Sequence, residues 1–271
     1  MLIDRRKYKS SLTDLWNRVF GDSCDFIELI FKPEYDGAVL CFAEIEEDKA
    51  VSAFYLIKNT LKYENELFDG YYLYAAATLP EYRKFGIMSK LIREAQGFCR
   101  ENSIDFISLV PSEESLYGYY SRFGFEKAMY RCENETPVLQ ISSDNNEQIT
   151  DADKILSIRN RYEGNIISFH SSSFGYAFEC LSYSGFKFCR ITNDSYLLCS
   201  DEDDFSEFIS TEKKLSENVE KLKMKKRLTS PFALKSYKVH KYKPYGMLFP
   251  VNEKLKKQWN FTDIYMNIAL D

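Results

Sequence analysis

Between Thr78 and Ser89 the chain leaves an apolar, strand-like run, crosses Pro80 and a basic pair, and enters an amphipathic helix at a glycine. This junction, Thr78-Leu79-Pro80-Glu81-Tyr82-Arg83-Lys84-Phe85-Gly86-Ile87-Met88-Ser89, constrains the fold more than any other stretch. A strand that feeds a helix through a short loop leaves the helix's first N–H groups without intrahelical partners, aimed outward along the helix dipole. An anion fits there, most commonly phosphate, and Gly86 lets the backbone come close to it. Arg83, Lys84, Lys90 and Arg93 add local positive charge. The same spacing also describes an ordinary strand-to-helix turn with a solvated basic face. A G-x-G-x-x-G dinucleotide loop is absent.

The flanking pattern supports a mixed α/β layout. Leu12, Leu15, Trp16, Val19 and Phe20 recur at helical spacing, with Ser10 or Ser11 as N-cap and Gly21 as stop. Phe26, Leu29 and Ile30 mark a second helix limited by Pro33. Residues 39–45, 51–61 and 67–78 read as an antiparallel meander with polar turns between them. Ile87, Leu91, Ile92, Ala95, Phe98 and Cys99 form a helical stripe, and Phe106 to Val110 a short buried strand. Ser112 can cap the next helix, Glu113 and Glu114 suit its first turn, and Gly124 its end.

With 271 residues, 45% of them hydrophobic, the chain can bury one large core or two modest ones. The polar run Ser142 to Gln148 places a boundary, giving domains over 1–141 and 149–271. A formal charge of −5 offers nucleic acid and anionic lipid no global attraction. The lysine-rich stretch from Lys213 to Arg227 reads as a solvated helix face rather than a nucleic-acid surface. Seven cysteines with no C-x-x-C pair, and two histidines, leave no zinc pattern and fit reduced core residues of a cytoplasmic protein. No apolar stretch has the length of a membrane span, and the start lacks the pattern of a signal peptide. Pro244-Tyr245-Gly246-Met247 reads as a turn feeding a short strand, and Ile264 to Leu270 as a last strand. The oligomeric state stays open.

The junction resembles the central motif of the GNAT acetyltransferases, in which V-x-P-x-x-R ends a strand and R/Q-x-x-G-x-G/A opens a helix. Thr78 stands at the Val position, Pro80 at the Pro, Arg83 at the Arg/Gln and Gly86 at the first Gly, while Met88 departs from the last Gly/Ala. The resemblance implies acetyl-CoA as acyl donor. It places the pyrophosphate on the loop of Arg83, Lys84, Phe85, Gly86, Ile87, Met88 and Ser89, and the pantetheine arm along the strand carrying Ala76 and Thr78. Downstream, Tyr120-Ser121-Arg122-Phe123-Gly124-Phe125 resembles the family's Y-x-x-x-G-F ending, which implies Tyr120 as the acid that protonates the departing CoA thiolate. Tyr120 reads equally as a packing residue beside Leu116 and Phe123.

A general base is harder to place. Tyr71 to Thr78 contains no acid, Glu113 and Glu114 fit a helix start, and His170 beside Phe169 fits a structural role. The chain also resembles two-domain relatives of the "enhanced intracellular survival" type, where a GNAT domain precedes a degenerate GNAT-like one. That resemblance implies the terminal carboxylate of Asp271 as base. The expected fold is therefore α/β (α+β): a GNAT fold with mixed central sheet, then a degenerate GNAT-like companion. The expected function is an acetyl-CoA-dependent N-acetyltransferase acting on a primary amine of a small molecule or peptide. A non-catalytic acyl-CoA-binding regulator and an aminoacyl-tRNA-dependent transferase are the alternatives.

Overall fold

A computed structural model of the chain describes residues 1–132, 147–200, 205–211, 242–258, 264–266 and 270. It opens with a short strand β1 (Leu2–Ile3), followed by α1 (Lys9–Phe20), α2 (Cys24–Glu28) and two 3-10 turns. Of the stripe its spacing predicts, helix α1 buries Leu12, Leu15 and Trp16, while Val19 is half-buried and Phe20 exposed. Gly21, at φ 79°, ends it by donating its N–H to the Asn17 carbonyl at 2.8 Å. The expected serine cap is not used: Tyr8 holds the N-cap position, and Ser11 lies inside the helix, where its hydroxyl accepts from the Ala50 N–H.

Strands β2 (Val39–Glu46), β3 (Lys49–Tyr63) and β4 (Glu66–Thr78) form the antiparallel meander. Both hairpins turn on two residues with positive φ, Glu47-Asp48 and Glu64-Asn65, whose twist matches that of the flanking strands. Helix α3 (Ile87–Glu101) then crosses to β5 (Phe106–Leu109), which runs parallel to β4. Helix α4 (Glu114–Ser121) and β6 (Glu126–Cys132) follow. Glu113, not Ser112, takes the N-cap position of α4, and Gly124 at φ 82° turns the chain beyond its end.

The second half supplies α5 (Ala152–Arg161), β7 (Ile166–Phe169), α6 (Ser171–Tyr183), and β8 (Phe186–Thr192), β9 (Ser195–Ser200) and β10 (Phe205–Ser210). Strand β11 (Tyr242–Pro250) and α7 (Glu253–Gln258) come last. Strands β8 to β10 make a separate three-stranded sheet. The large sheet has the order β1-β2-β3-β4-β5-β11-β6, with β7 also paired to β3. Since β4 occupies one edge of β3 throughout residues 59–62, β7 must continue the edge that β2 vacates.

Two expectations change here. The polar run near residue 142 divides the sequence but not the sheets, because β7 and β11 both come from beyond it and pair into the first-half sheet. Pro244 to Met247 is no turn: it lies within β11, where the register shifts around Gly246 let the strand pair with both β5 and β6. At Gly246 a Cβ would stand 3.1 Å from the Leu109 carbonyl oxygen, a tight backbone contact, and would also push aside the flexible end of Met129. Of the run from Ile264 to Leu270, Ile264 and Tyr265 form parallel bridges to Met129 and Ile166. The stretches 133–146, 201–204, 212–241, 259–263, 267–269 and Asp271 lie outside the described residues.

Strand β3 is buried on both faces. Phe54 and Leu56 join one core with α3, α4 and Met247; Tyr55 and Ile57 join the other with α1, α5 and α6. On the second side sits a wholly buried ionic cluster. The Arg159 guanidinium meets Glu207 and the Tyr196 hydroxyl (2.7 Å), and the Tyr265 hydroxyl donates to the other Glu207 oxygen at 3.1 Å. Among the described residues no helix is long and apolar enough to cross a membrane, and no three His, Cys, Asp or Glu side chains group as metal ligands.

Removing one charge from a buried pair strands the other, at about 3 kcal/mol or more. Glu207→Gln should therefore lower the urea midpoint strongly, whereas Arg159→Met with Glu207→Leu should recover most of the loss. A midpoint unchanged by Glu207→Gln would mean that the cluster is open to water.

Candidate active site

The site begins with a ladder that stops early. Strands β4 and β5 pair only from Gly70 with Phe106 to Tyr72 with Ser108. At Gly70 the Phe106 ring occupies the space of a Cβ, with ring carbons 2.5 Å from where one would stand, so the two strands start in close contact. Beyond Tyr72 they part. Strand β4 also carries a bulge, with Ala75 at φ 50° and a register shift opposite Phe54, which bends its last residues away. A cavity of about 540 Å³ fills the gap. Residues 72–76 of β4 form one wall, and Leu109 and Val110, at and just beyond the end of β5, form the facing one.

The phosphate-binding candidate lies at the end of β4. Pro80–Tyr82 make a 3-10 turn, Lys84 (φ 71°) and Gly86 (φ 80°) take left-handed backbone, and α3 starts at Ile87. No side chain caps α3, so its first N–H groups are presented outward. Nothing lies within 4 Å of a Cβ built on Gly86, so its glycine is required by φ and not by space. The Met88 side chain packs partly buried against the core beneath α3, and Met88 therefore keeps its N–H available without covering it.

The basic residues are less free than the sequence implies. Lys90 is tied to Glu44 at 2.9 Å, which also raises its pKa. The Arg83 Nε donates to the Thr78 carbonyl at 3.0 Å, and Arg93 stacks over the Phe123 ring. Phe85 is exposed, Ser89 approaches the Tyr119 hydroxyl at 3.4 Å, and Thr78 meets Ser52 at 2.8 Å. What this loop offers an anion is backbone amides at the start of α3 more than free side-chain charge.

Tyr120 lines the cavity from α4, beside Leu116. Its ring packs edge-on against Tyr119 and Phe125, so the packing expected of it is present as well. Burial, with Tyr119 adding to it, pushes its phenol well above the ordinary value, and the hydroxyl keeps its proton at neutral pH. Ala76 also lines the cavity.

Glu113, Glu114 and His170, the other acids and bases expected from the sequence that are described, lie away from the cavity wall. Glu113 accepts from the Ser115 hydroxyl on the exposed start of α4, and Glu114 is exposed. His170 caps α6, its Nδ1 accepting the Ser172 N–H at 3.2 Å. Leu270 reaches the cavity wall, while Asp271 lies outside the described residues. Burial pushes the Cys99 thiol up to about 12, as expected for a core cysteine. Cys24 is exposed instead, and Cys189, lowered to about 7 by a hydrogen bond from Cys199, belongs to β8 and not to the cavity wall.

No motif in the sequence marks the cavity's far end. There Trp16, Phe20 and Phe26 from α1 and α2 meet Tyr183 from α6, with Asp22 and Ser23 between them. The Trp16 Nε1 donates to Asp22 Oδ2 at 2.7 Å. Asp22 directly follows the Gly21 that ends α1, a position that reads as loop, and only the packing of α6 against the first half brings Tyr183 to it.

Comparison with known proteins agrees with this geometry. Residues 5–128 match the Acetyltransferase (GNAT) domain family. No curated protein matches in sequence. The fold is similar to that of Eis1 from Mycobacterium abscessus, with TM-score 0.67 and 12% identity over 93% of this chain and 72% of that one. It is equally similar to a GCN5-related N-acetyltransferase from Kribbella flavida, with TM-score 0.67 and 15% identity over 93% and 72%. A probable N-acyltransferase from Enterococcus faecalis V583 gives TM-score 0.62 and 12% identity over the same shares. These likenesses span both halves of the chain, and at such identities they carry the fold alone.

Gly86→Ala should cost about 1 kcal/mol of unfolding free energy, because an L-residue is strained at φ 80° although its methyl meets nothing. Chemical denaturation of the two proteins measures it, and equal stabilities would mean that the loop relaxes.

Proposed function

We propose that this chain, whose residues 5–128 form a GNAT acetyltransferase domain, moves the acetyl group of acetyl-CoA onto a primary amine by direct transfer. The observation that carries the reading is the continuity of one cavity. It runs from the gap between β4 and β5, past Tyr120, to the aromatic end between α1, α2 and α6.

Each part has a task. The open amides from Gly86 to Ser89 hold the pyrophosphate on the positive end of α3. The edge of β4 around Ala76, left without a strand partner on the β5 side, offers backbone groups to the amides of the pantetheine arm. The thioester then lies beside Tyr120, and the amine enters from the far end. Attack on the carbonyl carbon gives a tetrahedral intermediate. As it collapses, the C–S bond breaks, Tyr120 gives its proton to the sulfur, and the proton lost by the amine nitrogen passes to water, from which Tyr120 is reprotonated. No covalent enzyme intermediate is needed, and no cysteine lines the cavity among the described residues.

The raised pKa of Tyr120 has a definite sign. A general acid works while protonated and fails as pH rises through its pKa, so any falling limb due to Tyr120 should lie above about pH 10, the ordinary phenol value. The amine must lose its proton before attack, so rates should rise with pH below that limb.

Two tests separate binding from chemistry. CoA should raise the melting temperature, because a ligand of the folded state stabilises it, and Gly86→Asp should abolish that rise by putting a side chain and a negative charge at the anion site. Equal protection of both proteins removes the loop assignment. Tyr120→Phe should reduce turnover roughly 10- to 1000-fold with CoA protection retained. An unchanged rate returns Tyr120 to packing alone. Protection by CoA without turnover on any amine would leave a CoA-binding protein.

A further inference from the structure

The far end of the cavity has a composition that selects its ligand. Its walls are rings. The Trp16 centroid lies 6.1 Å from Phe20 and 6.4 Å from Phe26, and the Phe26 centroid 5.4 Å from Tyr183. Phe20 and Tyr183 remain 46% and 51% exposed, so apolar surface is held open at the mouth instead of being buried in the core. Asp22 is the one charged side chain lining the cavity among the described residues. One of its oxygens is taken by Trp16, which fixes the carboxylate against the ring wall and leaves the other oxygen for a cation.

Of the other polar groups at this end, the Ser23 and Tyr183 hydroxyls are engaged with each other, and Ser184 adds one further hydroxyl. The Ser23 hydroxyl lies 2.7 Å from the Tyr183 hydroxyl and accepts from the Phe26 N–H at 3.2 Å. A hydroxyl-rich acceptor would bury groups with few partners here, and each unpaired group costs affinity. A polycation would meet one carboxylate and leave its other charges against rings that lie partly out of water, where only the weaker ring–cation attraction answers them. A small amine with one charge and an apolar, ring-sized body satisfies both features at once.

We infer that the acceptor is a monoamine carrying an aromatic or similarly apolar body, recognised by Asp22 through its ammonium and by Trp16, Phe26 and Tyr183 through its body. This rests on the acetyltransferase reading above and specifies its acceptor. Both halves of the chain write the specificity, since Tyr183 comes from α6 and the rest from α1, α2 and the turn between them.

The probes are 2-phenylethylamine, spermidine, glucosamine and a lysine-containing peptide, each followed in two ways. Thiol release from acetyl-CoA gives kcat/KM. Emission of Trp16 in a Trp259→Phe background gives binding without any chemistry. 2-Phenylethylamine should exceed the other three by about 10-fold or more in both. Asp22→Asn should weaken it about 10- to 100-fold, the range of a lost hydrogen bond to a charged group, with CoA protection unmoved. Tyr183→Ser, at an exposed position where folding is not at risk, should weaken it several-fold. Preference for spermidine, glucosamine or the peptide, or an Asp22→Asn protein that binds 2-phenylethylamine as tightly as the parent, overturns the inference. Saturable, Asp22-dependent binding of 2-phenylethylamine with no acetyl transfer would sustain it while the acetyltransferase reading fails. Turnover confined to spermidine would do the reverse.

Discussion

Three residue pairs join β4 to β5, and the rest of the site depends on where that ladder stops. A sheet that kept pairing would have closed over its own interior. By ending at Tyr72, it leaves a run of β4 backbone facing a cavity instead of a neighbour, and buried backbone groups of that kind need partners. An amide-bearing ligand arm is a partner of the right chemistry. The bulge at Ala75 lies in the cavity wall, and Lys84 and Gly86 take left-handed backbone in the loop that follows β4. Irregular backbone costs free energy, and a ligand held at these positions would recover part of it.

Around this opening the protein is rigid for reasons that lie mostly in its second half. Strand β7 extends the edge of β3, and α6 packs Tyr176 against Tyr35 and Tyr74 beneath the cavity wall. The Glu179 carboxylate takes Lys32 at 2.6 Å and the Tyr35 hydroxyl at 2.8 Å, tying α6 to the segment after α2. The buried Arg159 and Glu207 cluster fixes α5 against β9 and β10 from behind. The aromatic end of the cavity is thus a surface shared between halves, and neither half alone presents it.

Much of the first half was legible because its signals are local. Hairpin turns, the α1 helix with its Gly21 stop, and the strand-to-helix junction at Gly86 each declare themselves within a dozen residues, where period and glycine placement decide the structure. The Met88 departure also resolved locally, since a side chain on that face of α3 packs downward. What the sequence hid is long-range. Ser112 looks like a cap because it precedes a helix, but chain direction placed Glu113 there and left Ser112 at the cavity. Pro244 to Met247 carries turn residues, yet the free edges of β5 and β6 on either side recruit it as a strand. Asp22 and Tyr183 are ordinary loop and helix-end residues until α6 folds across α1, and no spacing rule reaches over 160 positions.

The insertion of β11 between β5 and β6 bears on how the chain comes to exist at all. As the polypeptide leaves the ribosome, β6 emerges long before the strand that must separate it from β5. Until residues 242–250 arrive, the nascent sheet has two unmatched edges where the finished one has a continuous ladder. Contacts of such sequence separation form late and slowly. The first-half sheet is therefore completed only once β11 has been made. A gene cut after residue 150 would encode the family's recognisable domain but not a closed sheet, and its open edges would invite pairing with a neighbouring copy.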